Sequence, residues 1–134
     1  MIIRRGLIAG VAVLVVGFGL NWLIGAVFPS IAQEYQNLAI FRPWTDPLMI
    51  VYFAHPFILG IVLAYLWNIL EKQLSGDSIN KAFQFAKLYF VIATIPGMFI
   101  SYTSFQVSLF MILAWAVSGF LQVFAAGLVF ARVK

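Results

Sequence analysis

Four long apolar runs constrain this chain more than any other feature of its sequence. They cover residues 7–28, 48–70, 83–102 and 105–131. Each is close to the roughly 20 residues that an α-helix needs to cross a hydrocarbon layer about 30 Å thick. The runs do not alternate between polar and apolar positions, and they far exceed a barrel strand of about 9–11 residues. A helix also satisfies its own backbone hydrogen bonds, as a segment in lipid must. The expected fold is all-α, an antiparallel bundle of four transmembrane helices in one domain covering residues 1–134. Composition agrees: 64% of residues are hydrophobic and 9% are charged. A water-soluble domain of this size could not bury so much apolar surface.

The segment boundaries carry punctuation. Pro29 closes the first run, which is too long for the apolar core of a cleaved leader. Asp46 and Pro47 suit the cap and first position of the second helix. Glu71, Lys72 and Gly76 mark its exit, and Thr103 with Gln106 resembles a capping box for the fourth. The short turn at 101–104 makes the third and fourth helices neighbours. Residues 29–47 form a longer, semi-apolar connection with a short helix, placing Ile31, Tyr35 and Leu38 on one face. This stretch is expected to lie along the membrane surface.

Charge gives sidedness. With the amino terminus inside, Arg4, Arg5, Lys72, Lys81, Lys87, Arg132 and Lys134 are cytoplasmic, and Arg42 alone is outside. Such asymmetry in short loops predicts both termini in the cytoplasm. It also accounts for the net charge of +4 without nucleic acid, because the cations sit at helix ends and form no basic face. The expected location is a plasma or inner membrane, crossed several times. Trp44, Tyr35, Tyr52 and Tyr102 fall near the outer boundary and Tyr89 near the inner one, as an aromatic belt would.

Polar groups inside the runs are the candidate functional residues, because they are costly in lipid. His55 is the only histidine. It lies on the order of 10 Å inside the second helix at 1.5 Å per residue. Pro56 follows it and frees the Tyr52 carbonyl. The imidazole is either a relay or ligand group, or a neutral side chain bonded to a neighbouring helix. Asn21 reaches the same depth on the first helix. It shares a face with Gly10, Leu14, Gly17 and Gly25, which suits close helix packing. Gly6 and Gly10 also have the spacing of a close-packing motif. On the third helix Lys87, Thr94 and Ser101 share a face, and Pro96 interrupts the outer half, freeing the Ile92 carbonyl. Lys87 is expected to extend to the inner headgroups. On the fourth, Ser108, Trp115, Gly119, Gln122 and Ala126 share a face that reads as a pore stripe or a packing seam; the small residues favour the seam, and Gln122 is too deep to touch His55.

Asn21, His55, Thr94, Pro96 and Ser101 together outline a small outer vestibule. The loop carrying Arg42, Trp44 and Asp46 would shield it, with Arg42 facing Asp46 or an anionic group.

No acidic residue lies inside a run, and no nucleotide-binding, metalloprotease or serine-hydrolase motif occurs. There are no cysteines, which removes thiol and iron–sulfur chemistry. No cofactor or metal is expected. The expected function is that of a non-enzymatic accessory subunit or binding module. Its partners would be membrane lipid and either further copies of itself or a larger membrane complex. A small transporter or channel for a proton or solute is the alternative, and a membrane enzyme is third.

Overall fold

The computed structural model describes residues 1–133; Lys134, counted above with the basic cluster, lies outside them. The described chain is helical and contains no strand. Its elements are α1 (Ile2–Val27), α2 (Pro29–Glu34), α3 (Met49–Tyr52), α4 (His55–Leu70), α5 (Ser78–Tyr89), α6 (Ile95–Ser104) and α7 (Leu109–Arg132). They form four helical rods long and apolar enough to cross a membrane: Ile2–Val27, Met49–Gln73, Ser78–Ser104 and Leu109–Arg132.

Several boundaries differ from those the sequence suggested. The first helix starts at Ile2, so Arg5 and Gly6 belong to it and are buried. The second is not continuous. Asp46 accepts a bond from the Leu48 N–H at 2.9 Å and starts one turn, α3. The rod then breaks at Phe53 and Ala54 and resumes at His55, with Pro56 where no N–H is required. The third rod is bridged by a π-helical turn, Phe90–Thr94, between α5 and α6. Pro96 sits just beyond it, in the first turn of α6.

The fourth helix begins at Leu109, and its cap is Ser108, whose hydroxyl accepts from the Met111 N–H at 3.1 Å. The expected Thr103–Gln106 box does not form. Thr103 instead turns its hydroxyl back to the Phe99 and Ile100 carbonyls, both at 3.1 Å. Val107 is buried against Ile31, Met111 and Ile112, which draws residues 105–108 into an extended path before helix can start.

The rods alternate in direction. Gly6 meets Ile61 while Gly10 meets Phe57, so α1 and α4 are antiparallel. Arg5 meets Phe130 and Gly17 meets Gln122, so α1 and α7 are antiparallel as well. Gly127 meets Ala82, which places α5 beside α7. Thus α1 stands between α4 and α7, and α7 between α1 and α5. The α4 and α5 rods approach one another at the end bearing most of the cations, where Trp67 and Phe85 stack edge-on at 5.1 Å. That end is called the basic end, and the one bearing residues 29–47 the loop end.

Packing differs between the ends. At the basic end Trp67, Phe85 and Phe130 are each 0–1% exposed and form the largest part of a dense core. The α1–α4 crossing is the closest contact between rods. A Cβ at Gly60 would collide with the Gly6 carbonyl oxygen and stand 2.7 Å from the Gly10 nitrogen. Three glycines therefore let the two backbones touch, the usual solution where dispersion must hold helices together. Arg5 is 9% exposed, and its Nη2 donates to the Phe130 carbonyl at 2.6 Å, near the carboxyl end of α7. A cation there complements the helix dipole.

Residues 29–47 do not extend away along a plane. Ile31 is buried, and with Tyr35, Ile40 and Phe41 it packs on Met111, Ile112 and Trp115 of α7. The Glu34 carboxylate accepts from the Ser108 N–H at 2.9 Å. The segment is a lid folded over the loop end, while Leu38 stays 67% exposed.

Candidate functional site: a cavity under the lid

Beneath the lid lies a cavity of about 380 Å³. Three rods and the lid supply its walls. The α1 wall runs from Val13 through Gly17, Phe18 and Asn21 to Ile24. Tyr52, His55 and Pro56 come from the broken region of the second rod. Ala114, Trp115, Ser118, Gly119 and Gln122 come from α7, and Ile31, Tyr35 and Trp44 from the lid.

Local structure explains each placement. The break before His55 turns that residue into the first position of α4, beside the cavity. The glycines leave the space. A Cβ on Gly119 would meet nothing within 4 Å, so the position faces open volume. A Cβ on Gly17 would overlap the Gln122 amide, so the bare α1 backbone lets that amide lie across it. The floor is closed. Val13, 1% exposed, belongs to the basic-end core with Leu63 and Val123, and Trp67, Phe85 and Phe130 fill the space below.

The lid is fastened by polar and aromatic contacts. The indole N–H of Trp115 donates to the Tyr35 hydroxyl oxygen. This leaves the Tyr35 proton free to donate. Burial pushes the Tyr35 phenol above its usual range, with the Trp115 bond acting in the opposite sense, so it stays neutral. Arg42 and Asp46 pair at 3.0 Å. The Asp46 carboxyl is held below its usual range by the Leu48 N–H first and by Arg42 second. Trp44 packs edge-on against Tyr52 at 5.6 Å, and Phe18 stacks on Phe53 at 5.5 Å.

No Asp, Glu, Lys or Arg lines the cavity. Its polar groups are the Asn21 and Gln122 amides, the His55 imidazole and the hydroxyls of Ser118, Tyr35 and Tyr52. Among the described residues, Asn21, His55 and Gln122 make no side-chain hydrogen bond to the protein. Amides and imidazole can each donate and accept. The wall thus offers hydrogen bonds in both senses within an aromatic and aliphatic surface. No group of three His, Asp or Glu side chains able to hold a metal occurs among the described residues.

No family model, curated protein or solved structure matches the chain. The geometry therefore carries the functional reading.

The structure brings Asn21, His55 and Trp44 together, with Gly17, Trp115, Gly119 and Gln122. The last four, read from the sequence as helix-packing positions, also line the cavity, and Gly17 packs directly against Gln122 across the α1–α7 contact. Gln122 and His55 both line the cavity, and no hydrogen bond joins them. Thr94, Pro96 and Ser101 do not line it. The third rod packs on the far side of α7, where Thr94 is buried and Ser101 bonds to the Gly97 carbonyl at 2.8 Å. Arg42 and Asp46 brace the lid without lining the space. Gly10 keeps its packing role against Pro56 and Phe57. Gly25 faces Ala32 of the lid helix at 3.7 Å and meets no spanning rod. Ser108 is a helix cap and not part of a seam.

No local pattern points to the Tyr35–Trp115 bond, because the partners are far apart in the chain. Ser118 could have been found from its place one turn beyond Trp115 on the same face.

Proposed function

We propose that this chain is a membrane-spanning, non-enzymatic binding subunit that holds a small, neutral, amphipathic molecule beneath its lid. In this reading the four rods cross a plasma or inner membrane with both termini in the cytoplasm, and the lid faces outward. The exposed apolar side chains support insertion. Trp22 is 74% exposed, Ile50 73% and Phe99 72%, and many others flank them along the rods. In water such a surface would drive aggregation, whereas acyl chains cover it without penalty. The charge asymmetry supports the sidedness, with Arg4, Lys72, Lys81 and Arg132 at one end and Arg42 at the other.

One observation carries the binding role: a cavity with a closed floor and no lining Asp, Glu, Lys or Arg holds three amide or imidazole groups that the protein leaves unbonded. Apolar walls with a few convergent polar groups are the usual build of a small-molecule site. The absence of lining charge favours a neutral ligand, since an ion would lack a counter-charge in a low-dielectric setting. The aromatic flanks of Trp44, Phe18 and Trp115 favour a flat or apolar body. A conduit for protons or solute fits less well, because the Trp67–Phe85–Phe130 core fills the basic end.

The test uses the full chain in nanodiscs, screened by thermal denaturation against neutral amphiphiles such as indole and short-chain quinones. Stabilisation that disappears in Gly119→Leu, which fills the open volume, supports the reading. A pH-dependent proton flux in proteoliposomes that vanishes in His55→Ala would replace it with transport. Reporter fusions at both termini that are active only outside the cytoplasm would reverse the sidedness.

A further inference from the structure

A second, separate recess lies at the basic end, between the end of α4 and the face of α5. It has a volume of about 400 Å³ and is lined by Leu70, Gln73, Leu74, Gln84, Lys87, Leu88 and Val91. It exists because the second and third rods meet through Trp67 and Phe85 and do not pack along their length.

Its chemistry is graded along the rods. Gln73, Leu74 and Gln84 stand at the mouth, beside the polar turn. The Gln84 amide nitrogen donates to the Ser75 carbonyl at 2.7 Å, which fixes the rim. Lys87 comes one turn further in, about 13 Å from the start of α5 at 1.5 Å per residue. Leu88 and Val91 continue the wall towards the bundle centre, opposite Leu70.

Lys87 is exposed on α5, between the buried Ala86 and an apolar stretch, in a rod with little other charge. It has no acidic partner. The one ion pair among the described residues is Arg42–Asp46, at the opposite end. An ammonium beside leucines is stabilised by an anion at the same depth, and the recess offers apolar walls just below.

We propose that this recess is a docking site for one anionic phospholipid, with its phosphate on Lys87 and an acyl chain along Leu70, Leu88 and Val91. Charge complementarity selects the occupant. The site joins one unpaired cation to a hydrocarbon-lined slot, and anionic lipid is the membrane component that supplies both counterparts in one molecule. Gln73 adds an amide that can bond to headgroup oxygens. The inference rests on membrane insertion but not on sidedness or on the loop-end cavity.

The test is native mass spectrometry of the full chain in a mild nonionic detergent. Dioleoyl phosphatidylglycerol and dioleoyl phosphatidylcholine are titrated in parallel, with glycerol 1-phosphate and inorganic phosphate as chain-free arms. Phosphatidylglycerol is expected to bind more tightly by on the order of five- to tenfold, the worth of one charge-assisted contact. Lys87→Gln should abolish that preference. Val91→Trp should weaken binding of both lipids by filling the slot. Lys72→Gln, outside the recess, should leave the preference intact.

Equal binding of the two lipids, or a preference that survives Lys87→Gln, overturns the proposal. Competition by inorganic phosphate as strong as that by the lipid also overturns it, since the acyl chain would then contribute nothing. A dimer whose formation closes the site to added lipid would assign the recess to a second copy and refute the lipid. Failure of the loop-end reading is separately visible, because Gly119→Leu and His55→Ala leave this recess untouched.

Discussion

Gly60→Ala should weaken the fold far more than the same change at Gly19, although both remove a glycine from a helix interior. At Gly60 the added Cβ would overlap the Gly6 carbonyl oxygen and lie 2.7 Å from the Gly10 nitrogen and 3.0 Å from its Cα. All three are backbone atoms, so no side-chain rotation relieves the clash. The α1 and α4 backbones must separate by about 1 Å, and a gap of roughly 0.5–1 Å forfeits about a quarter to a half of each atom pair's attraction. Overpacking of this kind costs about 1–3 kcal/mol. The gain from replacing glycine by alanine in a helix is at most about 1 kcal/mol, so the clash wins. At Gly19 a Cβ meets nothing within 4 Å, and only the gain remains. The assay is reversible unfolding in mixed micelles, read by far-ultraviolet circular dichroism, with both variants and the parent in the same detergent. Gly60→Ala should lose about 1–3 kcal/mol, and Gly19→Ala should be unchanged or gain up to about 1 kcal/mol. Equal stabilities for the two variants would refute the close α1–α4 crossing.

Other outcomes follow from single contacts. Arg5→Ala removes the 2.6 Å bond to the Phe130 carbonyl and should cost about 1.5–3 kcal/mol, as for a bond involving a charge, while exposed Arg4→Ala should stay within about 0.5 kcal/mol in the same unfolding assay. Ser108→Ala removes the α7 cap and should cost about 1 kcal/mol, whereas Thr103→Ala should be near neutral; matching losses would place the helix start elsewhere. The Asp46 carboxyl titrates below its ordinary value of 3.8, so its hold on the loop is complete above that value and is lost as the pH falls through its own lower pKa. Carbon-13 titration of Asp46 should show this, and Arg42→Ala should move the midpoint up only partway, because the Leu48 N–H is the larger cause. Trp115→Phe removes the bond to Tyr35 and should speed proteolysis within residues 29–47; an unchanged cleavage rate would mean the lid is held without it.

Asn21 and His55 stand out in the sequence because polar groups are conspicuous in apolar runs, and the structure sets both on one cavity. Thr94 and Pro96 stand out for the same reason, yet they belong to a rod on the other side of α7. Depth along a helix can be counted from the sequence. The direction in which a face points depends on which rod is its neighbour, and that cannot be counted. Gln122 illustrates the gap: its depth along α7 sets it apart from His55, yet both line one cavity, where Gly17 and Gly119 carry no side chains to fill the space.

Four apolar helices, their approximate ends and the concentration of cations at one end are legible in the amino-acid order, because hydrophobic length and local punctuation act within each segment. That α1 sits between α4 and α7, that residues 29–47 close over the bundle, and that Arg5 is buried emerge only in the packed bundle. Those outcomes depend on how surfaces fit across the bundle. Backbone contact at Gly6, Gly10 and Gly60 and the burial of Ile31 and Val107 set them, through dispersion between residues distant in the chain.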